Sequence, residues 1–193
     1  MSCLFGDLLV RAVLIRGTGV RNHDLNFSRD AHGKPFCLVP GGRRFNLSHS
    51  GRWIIAVFDN GPVGVDIELI KPLAPGVAEF ALSPVEMETM QTLAETERLS
   101  YFYDVWTLKE SWLKASGLGL IDHFSDYSVT TGAVPSQFRI SNGKLQDGAY
   151  LWRLSGLDPD YRAAVCSIRD ESPPPVIFET MEELTEFFLR DPS

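Results

Sequence analysis

Residues Glu97–Ser116 run for twenty positions without a glycine or proline and stop at Gly117. An uninterrupted run ending on glycine predicts one long α-helix, around which the rest of the chain must be arranged. At about 100° per residue, Phe102, Val105, Trp106, Trp112 and Leu113 share a broad apolar face. Tyr103, Thr107, Glu110 and Lys114 gather on another side, with Glu110 and Lys114 one turn apart. Lys109 projects from within the apolar sector, where an ammonium needs a partner or must snorkel to water. By itself the helix reads either as a surface helix with a Glu110–Lys114 pair or as a wall of a site.

A chain of 193 residues can form one sizeable domain or two small lobes. Its 44% hydrophobic and 22% charged content is that of an ordinary globular protein. No apolar run approaches the roughly 20 residues needed to span a bilayer. The first residues lack the basic start of a signal peptide, and Arg11 interrupts the apolar run that follows. Cys3, Cys37 and Cys166 have no metal-binding spacing and are expected to be free thiols in a reducing cytoplasm. The net charge of −7 is uneven: residues 1–60 carry +4 and the remainder −11. A basic first third suits a small polyanion better than a nucleic-acid duplex.

In chain order, residues 4–15 have the apolar period of a helix and 25–28 read as a short strand. His32-Gly33-Lys34-Pro35 reads as a turn, either plain or holding a lysine near an anion. Phe45 and Leu47 alternate as at a strand end, and Ser48-His49-Ser50 then offers three hydrogen-bonding side chains on a loop. Trp53–Phe58 reads as a strand buried on both faces, followed by the turn Asp59–Pro62. In the returning strand Val63–Glu68, Val65 and Ile67 share one face, and Asp66 and Glu68 the other. Those acids fit either an exposed strand face or the oxygen ligands of a hard cation. Lys71–Gly76 is a loop, and Ser83-Pro84-Val85-Glu86 is a capping box opening a helix. Strands are expected at 127–131, 137–140, 150–154 and 161–168. A linker over 170–175 leads to a short terminal helix marked by Met181, Leu184 and Phe188.

Asp66, Glu68 and Glu110 can bind a cation that keeps sites open for phosphate oxygens. Lys34, Lys109, Lys114 and His49 can balance phosphate charge. With no Walker loop present, the inventory points to phosphoryl-group chemistry at a pyrophosphate.

Three segments in order, Phe45-Asn46-Leu47-Ser48-His49-Ser50, Gly64-Val65-Asp66-Ile67-Glu68 and Trp106-Thr107-Leu108-Lys109-Glu110-Ser111-Trp112-Leu113-Lys114, resemble the Sfp-type 4′-phosphopantetheinyl transferases. The Gly33-Lys34-Pro35 turn and the Phe80…Ser83-Pro84-Val85-Glu86 segment are similar as well, so the likeness extends from about Leu4 to about Ile168. The resemblance implies an α+β fold of two similar lobes in a pseudo-twofold arrangement, each a helix packed on a small, mainly antiparallel sheet. It divides the chain into an N-terminal lobe (1–62), a C-terminal lobe (63–170) and a tail (171–193) with a short helix. It implies transfer of 4′-phosphopantetheine from coenzyme A to a serine of an apo acyl- or peptidyl-carrier protein, with release of 3′,5′-ADP. The protein is expected to be a cytoplasmic monomer that meets neither nucleic acid nor membrane.

On that resemblance Asp66, Glu68 and Glu110 hold Mg²⁺, with Mn²⁺ an alternative. Glu110 also accepts the serine proton, directly or through water, and Lys114 neutralises or protonates the leaving phosphate. Lys34, Ser48 and His49 face the nucleotide, and Lys71 and Lys109 are further phosphate candidates. Family members carry a basic segment ahead of the helix that starts here near Leu4; a misplaced start, a cut chain and a shortened member are the alternatives, and weakened coenzyme A binding is expected of the chain as it stands. Two alternatives are a catalytically weak or inactive truncated relative that docks carrier proteins and a metal-dependent nuclease, the latter opposed by the charge of −7.

Overall fold

A computed structural model describes residues 2–30, 33–39, 43–117, 124–132, 137–141 and 148–190. His32 of the expected turn and the side chain of Cys3 lie outside the described residues. The elements in order are α1 (Ser2–Thr18), β1 (Phe27–Arg29), β2 (Pro35–Cys37), β3 (Arg44–Ser50), β4 (Trp53–Asp59), β5 (Val63–Leu69), α2 (Val77–Ala81), α3 (Pro84–Thr92) and α4 (Glu95–Ser116). There follow β6 (Ser128–Thr131), β7 (Gln137–Ser141), β8 (Tyr150–Arg153), β9 (Tyr161–Ser167) and α5 (Met181–Arg190). The architecture is α+β. No helix among the described residues is long and apolar enough to cross a membrane.

In the first part, β1–β2 and β3–β4 form separate antiparallel ribbons, and α1 packs on β3 and β4. Val10 and Leu14 of α1 meet Leu25, Cys37 and Phe45 in a small core. In the second part, five antiparallel strands lie in the order β5-β9-β8-β7-β6, and α4 lies across β5, β9 and β8. Phe102, Val105, Leu108, Trp112 and Leu113 of α4 pack there against Leu151, Ala164 and Cys166. The capping box is formed: Ser83 Oγ accepts from Glu86 N, Glu86 Oε2 accepts from Ser83 N, and Pro84 opens α3. Helix α4 ends where Gly117 turns left-handed, at φ 71°.

Strand β5 is the edge of the five-stranded sheet, and β3 runs beside it. The two strands are joined by side chains. Asn46 Oδ1 accepts from Val65 N at 2.9 Å, Ser48 Oγ from Ile67 N at 3.3 Å, and Ser50 Oγ from Leu69 N at 3.1 Å. The edge amides of β5, which would otherwise be exposed donors, are thus met at every second residue.

Four readings of the sequence need correction here. Ser48-His49-Ser50 belongs to strand β3 and is no loop, because its hydroxyls bind the β5 edge. Strand β4 is partly buried along its whole length instead of fully buried on both faces. The reading of α4 as a surface helix gives way as well: Tyr103 and Thr107, grouped with Glu110 and Lys114 away from the apolar face, are both buried, since the helix is covered on several sides by the sheet and by α3. Strand β2 and helix α2, each only a few residues long, were not anticipated.

The tail folds back on the first part. Helix α5 packs against α1, Arg16 pairs with Glu179, and Phe178 meets Trp53 edge to face with centroids 5.7 Å apart.

Candidate active site

Alternation along β5 points Gly64, Asp66 and Glu68 toward α4. The helical repeat brings Glu110 and Lys114 to face them. Leu47, Ser48, His49, Asp66, Glu68, Trp106, Glu110 and Lys114 line one cavity of about 350 Å³. Lys114 Nζ stands 2.6 Å from Asp66 Oδ1 and also donates to Ser48 Oγ at 3.1 Å. The lysine's ion-pair partner is therefore the strand aspartate, and of the two readings of the helix the wall of a site replaces the surface helix with a Glu110–Lys114 pair. Ser48 Oγ donates to Asp66 Oδ1 at 2.9 Å, and Ser50 Oγ donates to Glu68 Oε2 at 2.9 Å. Each serine thus holds one carboxylate and one backbone amide of β5.

The cavity carries three carboxylates against one lysine. Burial, followed by repulsion from Asp66 and Glu68, pushes the Glu110 carboxyl above its ordinary range, with Lys114 opposing. Burial also pushes Asp66 up, against the charge and hydrogen bond of Lys114 and the hydrogen bond of Ser48. Asp66 is almost fully buried, and its Oδ2 has no hydrogen-bond partner among the described residues. An unpartnered buried oxygen beside two further acids is a donor set suited to a hard cation. As the side chains stand, no three His, Cys, Asp or Glu residues among those described converge closely enough to enclose an ion. Lys114 takes up one oxygen of Asp66. The chemistry of the donors fits Mg²⁺, and closing a shell around it requires these side chains to turn.

Three lysines expected near phosphate lie elsewhere. Lys109 is wholly buried and pairs with Glu86 at 2.7 Å, while donating to the carbonyls of Ala81 and Phe124. It is a core cation with no access to a ligand. Lys71 is exposed on its loop and is not part of the cavity wall. The ammonium of Lys34 donates to the carbonyls of Val63 and Lys114 and is likewise no part of that wall. His49 is exposed at the cavity, and Ser48 is buried behind it.

Sequence reasoning assigned no partner across the fold to Asn46, Ser50, Gly64 or Glu86. The first two could have been found from the period of two in Asn46, Ser48 and Ser50, which puts three polar side chains on one face of a strand. The capping box accounts for only one use of Glu86. Glu86 is also the partner that Lys109 required, and its Oε1 accepts from Val129 N at 2.7 Å. Nothing local in the sequence pairs residues 23 apart.

Residues 62–166 match the model of the 4′-phosphopantetheinyl transferase superfamily, and residues 1–59 match that of the 4′-phosphopantetheinyl transferase N-terminal region. The chain belongs to the 4′-phosphopantetheinyl transferase superfamily. It is 35% identical over 184 residues to the 4′-phosphopantetheinyl transferase Sfp of Bacillus subtilis, covering 94% of this chain and 80% of that protein. It is 38% identical over 117 residues to the 4′-phosphopantetheinyl transferase gsp of Aneurinibacillus migulanus, covering 61% of this chain and 48% of that one. The holo-[acyl-carrier-protein] synthase of Thermotoga maritima superposes with a TM-score of 0.42 at 20% identity, over 54% of this chain and 61% of that one. As a member of this superfamily the protein is a transferase of the 4′-phosphopantetheinyl type, and the acid-lined cavity is its candidate active site.

Proposed function

We propose that the enzyme moves 4′-phosphopantetheine from coenzyme A to a serine hydroxyl of an apo acyl- or peptidyl-carrier protein and releases 3′,5′-ADP. The observation that carries this reading is the convergence of Asp66, Glu68, Glu110 and Lys114 on one cavity in a chain of this family. The serine oxygen forms a bond to the phosphorus bearing the pantetheine arm, and the bond from that phosphorus to the bridging oxygen breaks. Glu110, facing Asp66 and Glu68 across the cavity, accepts the serine proton directly or through water. Lys114, beside Asp66, offsets charge on the departing 3′,5′-ADP or returns a proton to it. His49, exposed at the cavity, faces the nucleotide. Ser48 acts behind it by orienting Asp66.

A pyrophosphate does not settle among three carboxylates without a counter-charge. Asp66, Glu68 and Glu110 would hold Mg²⁺, or Mn²⁺ in its place, and the ion would neutralise the pyrophosphate oxygens. Catalysis then rests mainly on positioning and charge stabilisation. On this reading residues 1–62 and 63–170 are the two lobes, 171–193 is the tail, and the enzyme works in the cytoplasm.

The test is incubation with apo-carrier protein, coenzyme A and Mg²⁺, followed by mass spectrometry of the carrier. One phosphopantetheine on the carrier serine and an equal yield of 3′,5′-ADP are expected. Asp66→Ala and Glu110→Gln should abolish transfer while leaving the circular dichroism spectrum unchanged. Failure of the parent chain to modify any acyl- or peptidyl-carrier protein overturns the proposal.

A further inference from the structure

A helix leaves its last four carbonyls without intrahelical partners. Lys114 supplies one of those carbonyls in α4, and it accepts from Lys34 Nζ at 2.5 Å. The same ammonium donates to Val63 O, on the first residue of β5, at 2.8 Å. Lys34 is 80 residues from Lys114 and lies on the other ribbon system of the fold. Its aim is fixed locally. Asp30 Oδ1 accepts from Lys34 N at 2.9 Å, Asp30 N donates to Lys34 O at 3.0 Å, and Gly33 turns at φ 82°, where a side chain would be strained. Arg29 closes the turn by donating to Gly33 O at 2.7 Å. The β1–β2 hairpin therefore delivers one cation into the angle between the end of α4 and the start of β5. Burial depresses the ammonium's pKa, opposed by Asp30.

We propose that Lys34 is a positioning residue that latches the C-terminal turn of α4 to β5, and so sets Lys114 against Asp66. The backbone of Lys114 is held by Lys34, while the Lys114 side chain holds Asp66. Gly64, next to Val63, brings the backbone of β5 against Ser111, Lys114 and Ala115 of α4. The latch therefore acts one residue from that close backbone contact. A cation is also favoured at the negative end of a helix dipole. This inference rests on the proposed transfer reaction for its kinetic consequence, but its structural consequence stands independently.

The experiment compares Lys34→Met and Lys34→Arg with the parent chain in two measurements. The first is steady-state transfer with coenzyme A varied. Lys34→Met should lower kcat about tenfold or more, since small misplacements of catalytic groups are costly, with KM for coenzyme A within about twofold of the parent. Lys34→Arg, which keeps the charge and the donors, should recover part of the loss. The second is hydrogen exchange in the absence of substrate. Amides of 113–117 should exchange at least about tenfold faster in Lys34→Met, with those of 102–108 unchanged. Should Lys34→Met fail to fold, Lys34→Gln, whose shorter neutral side chain reaches at most one of the two carbonyls, carries both measurements. A raised KM for coenzyme A with kcat unchanged would make Lys34 a ligand contact and overturn the latch. Unaltered exchange at 113–117 would overturn it as well, and that result reads the latch even if the parent chain transfers nothing.

Discussion

The Cβ that Gly64 lacks would lie 2.1 Å from the carbonyl oxygen of Ser111 and 2.5 Å from the amide nitrogen of Ala115. Helix α4 thus rests on bare backbone of β5. Both obstructing atoms are main-chain atoms and cannot swing aside as a side-chain tip can. The contact fixes the height of the helix above the strand. It decides that Lys114, adjacent to Ala115, meets Asp66, two residues along from Gly64, at 2.6 Å.

Gly64→Ala should therefore act on stability and chemistry together. Overpacking of this kind costs about 1–3 kcal/mol, to be read from urea denaturation. Transfer should also fall at saturating coenzyme A, because α4 must move away from Asp66 and Glu68. A variant as stable and as active as the parent would mean that the helix yields without disturbing the site.

Much of this was legible in the sequence because it depends on local signals. The helix before Gly117, the capping box at Ser83 and the alternation of Asp66 and Glu68 are set by neighbours within four residues. The roles of Lys34 and Lys109 were not legible, because a lysine's charge advertises a phosphate and a carbonyl cage equally. Their partners, Val63, Lys114 and Glu86, come together only when the chain is folded. Ser48 and Ser50 read as a polar loop because a Ser-His-Ser run taken alone offers only hydrogen-bonding groups, and in the fold the edge of β5 supplies their partners.

Lys109→Met separates a structural lysine from a ligand. Glu86 would keep Ser83 N and Val129 N but lose its buried cation. Removing one member of a buried pair costs about 3–5 kcal/mol. The expected result is a large drop in the urea midpoint, with KM for coenzyme A unchanged in whatever fraction stays folded. A rise in KM without loss of stability would restore Lys109 as a phosphate contact.

Glu110→Gln should trade activity for stability in a pH-dependent way. Burial and the neighbouring acids raise the folded carboxyl above its ordinary value of 4.5, so the folded state binds the proton more tightly than the unfolded chain. The stability linked to this group is present below the ordinary value and is lost as pH rises through the folded value. At neutral pH the charged carboxylate is thus a liability that glutamine removes. Thermal denaturation should show the variant gaining on the parent as pH rises above about 4.5, with no relative gain at lower pH. A stability difference that does not change with pH would argue that Glu110 is not held up in the folded state.

Ser50 tests whether the seam between β3 and β5 serves chemistry as well as folding. Its hydroxyl donates to Glu68 Oε2 and accepts from Leu69 N. Ser50→Ala removes both bonds from a half-buried position, which should cost about 1 kcal/mol of stability. Ser50→Thr keeps the hydroxyl and should recover most of it. The effect on transfer is expected to run through Glu68, whose carboxylate would lose its fixed orientation. The two residues should then be coupled in a double-mutant cycle. Ser50→Ala should slow transfer in the parent but add little once Glu68→Gln is present. Fully additive effects would mean that Ser50 supports only the strand edge, and that Glu68 finds its orientation without it.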